Sequence, residues 1–409
     1  MKKTIITISF IVMVIAVCFV CTITAQEHVA VVEIPSASES MPGIIPDKPL
    51  VQMAILLDTS GSMSGLIEQA KIELWAIVNE FIFAKRNGLE PNLQVALYEY
   101  GKDSLDQKDG YIRQIVPLTN DLDKISEELF ALKTNGGSEY CGWVIQDATK
   151  LLKWSDSPDD LKVIFIAGNE PFTQGPINYS KACKEAISKG IIVNTIHCGS
   201  ESEGLQGHWK DGAVLADGDF LNIDHNQQVA HIAAPQDDEI ARLSMELNDT
   251  YIAYGQAGEA ARQRQAEQDK NAADISKQAL MSRAVTKSSF NYRNSNWDLV
   301  DALKENQVEL EDIKKKDLPE NMQSMTMDQR KAYTDAKAKE RDEIQKKIQE
   351  LNIKRESYIA AERKKQQADG STLGSAIIKA VRNQAIGKNF EFNKPEVTPE
   401  NSAAAQNQP

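Results

Sequence analysis

The sequence predicts an α/β fold, a doubly wound and mostly parallel sheet flanked by helices, followed by an α-helical C-terminal region. Three observations predict it. Short continuous apolar runs recur at Val51–Leu57, Leu161–Ala167 and Ile191–His197, and such runs mark strands buried on both faces. Amphipathic segments separate them, which is the alternation that a parallel sheet with crossover helices requires. Beyond about Gly255 the strand pattern stops, and a stretch rich in Gln, Lys, Glu and Ala takes over, helical by propensity.

The elements follow in order. Lys2 and Lys3 precede an apolar run from Ile5 to Val20, and Thr22 to Ala25 turns small and polar. This is the pattern of a signal peptide over 1–25, cut after Ala25. Retention as a membrane anchor and lipidation of Cys18 or Cys21 are the alternatives, and the chain reaches a membrane only through such an N-terminus. The expected location is the periplasm or outside the cell. Residues 26–49 are rich in Pro, Ser and Glu and read as a linker.

A sheet-bearing domain is expected over 50–255. After the first strand, Leu66, Ile67, Ala70, Leu74, Ile77 and Phe81 recur at helical spacing. Leu93–Tyr98 and Ile112–Pro117 read as strands, and Asn120 is placed to cap a helix from Asp121 to Leu132. A Gly-rich turn at Asn135–Ser138 precedes a helix over about Gly142–Trp154. A helix over Tyr179–Lys189 is closed by Gly190. The segment Gly199–Gly218 reads as a loop, Asp219–Ile223 as the last strand and Asp237–Leu247 as a helix.

Residues 256–387 form a helical, coiled-coil-like region. Ile344, Ile348, Leu351 and Tyr358 sit near heptad spacing, but Arg355 interrupts the seam, so a short helical hairpin or weak coiled coil is expected. Thr326 and Gln329 have capping-box spacing, and Leu318-Pro319 marks a break. Met322, Met325 and Met327 read as packing within this region. Residues 388–409 are expected to be a disordered tail.

Charge and cysteine content exclude some functions. The 409 residues carry a net charge of −13, so nucleic acid is not an expected partner. Runs such as Lys314–Lys316 are solvated helix faces. The five histidines lack zinc spacing. Cys141, Cys183 and Cys198 would remain after signal cleavage. Either Cys183 pairs with Cys198, or all three are buried free thiols. His197 and Cys198 are adjacent on a strand and point to opposite faces, which argues against a nucleophile pair.

The chemistry is sought at the carboxyl ends of the strands, where doubly wound sheets bind ligands. The first strand ends in Asp58-Thr59-Ser60-Gly61-Ser62. Alternation turns Asp58, Ser60 and Ser62 toward one centre. Their hard oxygens suit Mg²⁺, which keeps several waters. By itself the motif is weak, since a Ser-rich turn before a helix also serves as an N-cap. Its position between a buried strand and an amphipathic helix favours the metal reading.

With the preceding strand, VQMAILLDTSGSMSG resembles the first strand and metal loop of von Willebrand factor type A (VWA) domains. Asp58, Ser60 and Ser62 fall on that family's D-x-S-x-S motif. Gly136-Gly137-Ser138 resembles its second loop, with Ser138 in place of the usual Thr, and KGIIVNTIHCG resembles a later strand. The resemblance covers about Val51 to Gly255. It implies a VWA/Rossmann-like fold, a Mg²⁺ ion (or Mn²⁺ or Ca²⁺) and a protein partner whose acidic side chain completes the ion's shell.

The third loop departs from the family pattern. It reads Ala167-Gly168-Asn169-Glu170-Pro171, with Gly168 where the family has Asp. Asn169 is a candidate to hold a water, and Glu170 or Glu139 to reach in. An intact site with a replaced ligand, a weakened site and an empty one all stay open. Trp209 is either a binding anchor or an aromatic packed onto its own domain.

The leading expectation is a non-enzymatic, exported protein-binding protein with recognition at this site. The second is a metal-free scaffold whose helical region is the interaction surface of an envelope complex. A thiol-dependent hydrolase using Cys198 or Cys141 is a distant third.

Overall fold

The computed structural model describes residues 48–224, 232–366 and 373–392. The expected signal peptide, and all but the last two residues of the expected linker, lie outside the described residues. No helix among the described residues is long and apolar enough to cross a membrane.

Six strands form the central sheet: β1 (Leu50–Asp58), β2 (Asn92–Tyr100), β3 (Ile112–Thr119), β4 (Leu161–Gly168), β5 (Ile191–Cys198) and β6 (Phe220–Ile223). Their order is β3-β2-β1-β4-β5-β6. All neighbours are parallel except β2 and β3, which are antiparallel. This is the doubly wound order with an antiparallel edge. Its topological switch point lies between β1 and β4, where the chain first extends the sheet in one direction and then in the other.

β1 is central because its sequence can be buried on both faces. Met53, Ile55 and Leu57 join one core, and Ala54 and Leu56 the other, as the two-residue period of a strand requires. Helices α1 (Ser64–Asn79) and α2 (Leu122–Ala131) cover the first face. Helices α3 (Cys141–Leu151), α4 (Tyr179–Ser188) and α6 (Trp209–Val214) cover the second. Each fully buried Leu, Ile or Phe here contributes about 1.5–3 kcal/mol.

Two local expectations are corrected. The cap of α2 is Asp121, whose Oδ1 accepts from the Lys124 N–H at 3.0 Å, and not Asn120. The segment read as a loop over Gly199–Gly218 holds two short helices, α5 (Glu201–Gln206) and α6. A capping box between Ser200 and Glu203 starts α5.

The helical region is not a separate body. The described residues from 48 onward fall in one compact unit, with no division at the expected boundary 255/256. Of helices α7 (Asp237–Asn248), α8 (Gly258–Ile275) and α9 (Lys277–Lys287), the last two pack beside α1 and α2, and α7 packs on α9. Burial is anchored by charge. Arg283 is buried, pairs with Asp123 of α2 at 2.7 Å and with Asp269 at 2.5 Å, and lies over the Trp75 ring of α1.

Helices α10 (Leu299–Lys304), α11 (Glu320–Gln323), α12 (Met327–Gln366) and α13 (Leu373–Gly387) follow. α12 is 40 residues long. The Thr326–Gln329 capping box forms at its start, with bonds of 2.9 and 3.3 Å. Its partners are α7, α9 and α10, not a second strand of a coiled coil. Arg355 breaks the apolar seam because it pairs with buried Asp237 of α7 at 2.8 Å. Of the three methionines, Met322 is buried in a small core with Leu299, Leu310 and Leu318, Met325 packs against it, and Met327 is exposed.

α13 returns to the sheet. Leu373, Ile377, Ala380, Val381, Ala385 and the following Phe390 are all buried in the core under α1. Glu391–Phe392 pairs with Ala84–Lys85 in a two-stranded ladder. The tail expected to be disordered from 388 is therefore ordered through Phe392, and the rest lies outside the described residues.

Candidate functional site

The loop after β1 sits at the switch point. Parallel pairing with β2 and β4 carries β1 to its end at Asp58. The loop is then tied to its neighbours by backbone bonds: Thr59 N–H to Tyr100 O at 2.9 Å, Gly61 N–H to Gly136 O at 2.8 Å, and Asn135 N–H to Thr59 O at 3.1 Å. The first and second loops are thus one connected piece. The Thr59 side chain faces away from the serines and donates to Glu99 Oε2 at 3.2 Å.

Asp58 is fully buried. Its Oδ1 accepts from the Ser60 N–H at 2.7 Å, while its Oδ2 has no hydrogen-bond partner. Burial pushes its carboxyl up to about 7, the Ser60 bonds oppose that rise, and the charges of Glu139 and Glu170 add to it. The Ser60 and Ser62 hydroxyls are 3.3 Å apart. Asn169 Nδ2 donates to Ser62 Oγ at 3.2 Å, which joins the third loop to the first.

The N-cap reading of the serines is not what the structure shows. Neither the 3₁₀ turn Gly61–Met63 nor α1 has a side-chain cap. A buried carboxylate with a free oxygen, two nearby hydroxyls and an amide oxygen make a hard-oxygen donor set. This is chemistry that fits Mg²⁺ or a similar divalent cation. No group of three or more His, Cys, Asp or Glu side chains placed to hold a metal occurs among the described residues, so carboxylates alone do not make the set.

Ser138 is half-buried on the second loop. The side chain of that loop lying against Asp58 is Glu139, which is 5% exposed. A Cβ placed on Gly101 would lie 2.8 Å from Glu139 Cγ and 2.9 Å from Asp58 Oδ1, so the two acids flank one glycine. Burial raises the Glu139 carboxyl, as does the charge of Glu170, while the Ser60 hydroxyl opposes the rise. Sequence order alone favoured the hydroxyl at 138, because side-chain direction in an irregular Gly-Gly turn has no period to read.

Glu170 is half-buried and acts on Asp58 and Glu139 through its charge. Its backbone carbonyl accepts from Trp209 Nε1 at 2.9 Å. Trp209 itself is fully buried, with its ring 4.8 Å from that of Phe172. It is therefore a core residue that pins the third loop, and not the exposed anchor weighed for it.

Tyr100 was missed by the sequence reading. Its hydroxyl donates to Ala167 O at 3.0 Å and would lie 2.5 Å from a Cβ on Gly168. A strand-end tyrosine facing a glycine two strands away leaves no signal without the register.

The three cysteines are free and buried, so the Cys183–Cys198 bridge is not formed. Burial pushes the Cys183 thiol up to about 12 and those of Cys141 and Cys198 higher still. Such thiols are poor nucleophiles. His197 bonds Asn222 at 3.1 Å and faces Trp209, away from the core that holds Cys198.

The sheet order, the antiparallel edge and the Asp58 loop at the switch point give the chain a VWA-like α/β fold. No family model matches the chain, and no curated protein matches it. Several solved structures are similar to part of it. An aerotolerance-related membrane protein from Bacteroides fragilis, carrying multiple mutations to serine, is 17% identical over 43% of this chain and 93% of that one, with a TM-score of 0.30. The conserved hypothetical protein BatB from Bacteroides thetaiotaomicron is 17% identical over 54% of this chain and 99% of that one, with a TM-score of 0.34. The VWA domain of SpRpn10 is 22% identical over 44% of this chain and 100% of that one, with a TM-score of 0.33.

Proposed function

We propose that this protein is an exported, non-enzymatic protein-binding module. Its recognition surface is the end of the sheet at Asp58, and Asp58, Ser60 and Ser62 hold a divalent cation there. Asn169 orients the Ser62 hydroxyl at the rim, and Ser138 and Glu170 lie on the loops around it. The cation, Mg²⁺ by the chemistry of the donors, would supply positive charge and an open position for an acidic side chain of a partner protein.

One observation carries the reading. Asp58 is fully buried, and its Oδ2 has no hydrogen-bond partner. A buried, half-satisfied carboxylate costs free energy, which a bound cation would offset. The Ser60 and Ser62 hydroxyls, 3.3 Å apart beside it, add the further oxygens that a divalent cation takes.

Thermal unfolding of the mature chain with Mg²⁺ and with EDTA tests this. Binding to the folded state at a hundredfold excess over Kd would stabilise it by about 2.7 kcal/mol. Asp58→Ala is expected to abolish the shift while the far-ultraviolet spectrum stays native. A wild-type chain indifferent to Mg²⁺, Mn²⁺ and EDTA would end the proposal.

A second reading has its own observation: α12 runs for 40 residues, and many of its side chains over 327–363 are exposed. On that reading the sheet is a metal-free scaffold, and α12 presents the partner surface. Partner capture by the full chain that persists in EDTA and with Asp58→Ala would favour it.

A further inference from the structure

We propose that Glu139, from the second loop, supplies the second carboxylate of the cation site, in place of the one that the third loop lacks. This inference rests on the proposed cation site at Asp58 and names the residue that sets its charge.

Position 168 of the third loop has no room for a carboxylate. A Cβ on Gly168 would lie 2.5 Å from Tyr100 Oη, 3.0 Å from Asp58 Oδ2 and 3.1 Å from Asp58 Cβ. Tyr100 is itself fully buried and bonded to Ala167 O at 3.0 Å, so it does not swing aside. Any longer side chain at 168 would have to displace both the phenol and the Asp58 carboxylate.

The second loop is built for the opposite purpose. Gly137 has a φ of +156°. A Cβ there would lie 2.3 Å from Glu139 Oε1 and 2.7 Å from Ser60 Cβ. Gly101 clears the other side, since a Cβ on it would meet Glu139 Cγ at 2.8 Å and Asp58 Oδ1 at 2.9 Å. Two glycines thus make way for one carboxylate, which comes to rest against Ser60 and Asp58. The Glu139 N–H donates to Gln174 Oε1 at 2.6 Å, fixing the backbone behind it.

Burying the Glu139 carboxylate near that of Asp58 is unfavourable, because like charges at low dielectric repel. Asp58 Oδ1 is the oxygen that shares the space over Gly101 with Glu139, while the unpartnered Oδ2 is turned toward Gly168. A cation held by the two carboxylates and the two serine hydroxyls would remove the repulsion. Glu170 is the rival donor, but it is half-buried and no hydrogen bond joins its side chain to Asp58 or the serines. It tunes the potential from a distance.

Titration calorimetry of the mature full chain with MgCl₂ and with MnCl₂ tests the assignment. Glu139→Gln, which keeps size and shape, is expected to weaken both cations by about tenfold or more. Glu170→Gln should weaken them by less than about threefold, as a charge acting through partly exposed surroundings does. In EDTA the melting point of Glu139→Gln should equal or exceed that of the wild type, because a buried repulsion is gone. Unchanged affinity in Glu139→Gln, with binding lost in Asp58→Ala, overturns the role of Glu139 and leaves the cation site standing. A larger loss in Glu170→Gln than in Glu139→Gln overturns it in favour of the third loop. A lower melting point in EDTA with unchanged affinity shows Glu139 to be structural only. No binding by the wild type removes the site itself.

Discussion

The hydroxyl of Tyr100 fills the space that a side chain on Gly168 would need: 2.5 Å separates Tyr100 Oη from the position of a Cβ there. Gly168 at the end of β4 is therefore packed against a buried aromatic at the end of β2.

This pairing predicts a double-mutant result. Gly168→Ala should destabilise the fold by about 1–3 kcal/mol, the range for forcing a methyl into a packed site. In a Tyr100→Phe background the same change should cost less, since the oxygen it meets is gone, leaving a coupling of about 0.5 kcal/mol or more. Urea midpoints of the four chains measure it. Strictly additive effects would mean that Asp58, also near that Cβ, sets the limit alone.

A buried charge pair joins the sheet to the helical region. Arg283 bonds Asp123 at 2.7 Å, and the Tyr292 hydroxyl donates to the other Asp123 oxygen at 2.5 Å. Arg283→Met leaves Asp123 buried without its cation, which typically costs about 3–5 kcal/mol. Chemical denaturation followed by tryptophan fluorescence and by circular dichroism should show both probes moving together, because one unit is unfolding. A change under 1 kcal/mol would show that water enters to replace the guanidinium.

Asp269 gives a pH dependence with a definite sign. Burial alone would raise its carboxyl, but the charges of Lys287 and Arg283 outweigh burial and hold it well below the usual carboxylate range. A carboxyl depressed in the folded state contributes stability above its unfolded pKa of about 3.9 and loses it as pH falls toward the folded value. Asp269→Asn should therefore be less stable than the wild type at pH 7, with the difference shrinking below about pH 4. Parallel stability curves across that range would exclude the linkage.

Thiol counting tests both the core and the N-terminus. Cys141, Cys183 and Cys198 are buried and free, so a small alkylating reagent should leave the native chain unmodified at neutral pH. After unfolding without reductant, three labels are expected if the segment with Cys18 and Cys21 has been removed, and five if it is retained unmodified. Mass spectrometry reads the number directly. A single label after unfolding would reveal a disulfide that the folded geometry does not contain.

The sheet was legible because its strands β1, β4 and β5 are buried on both faces and read as short continuous apolar runs. The Asp58 loop was legible because it is local: three oxygen-bearing side chains within five residues. What stayed hidden was set by contacts across the chain. Glu139 was a candidate beside Glu170, and the choice between them turns on two loops zipped by backbone bonds at Gly61 and Asn135. Arg355 looked like a flaw in a heptad because its partner, Asp237, lies 118 residues away. The two helices within Gly199–Gly218 are short, and the composition there reads as turn before it reads as helix.

The end of the chain carries the last prediction. α13 looked like part of a separable helical region, yet Ile377 is 1% exposed and lies in the same core as Ile55, Leu74 and Phe165. Its neighbours bind it to the sheet domain: Gln384 Nε2 donates to Asn194 Oδ1 at 2.6 Å, and Arg382 pairs with Glu80. Ile377→Ala should then cost about 2–5 kcal/mol, the same as truncating a residue of the sheet itself. A spacer helix would tolerate that change within about 0.5 kcal/mol. Hydrogen exchange gives a second readout, since opening of α13 should expose amides of α1 in the wild type only at the rate of global unfolding. Fast exchange in α13 and α1 with the rest protected, together with a small effect of Ile377→Ala, would make the closing helix a detachable strap and not part of the core.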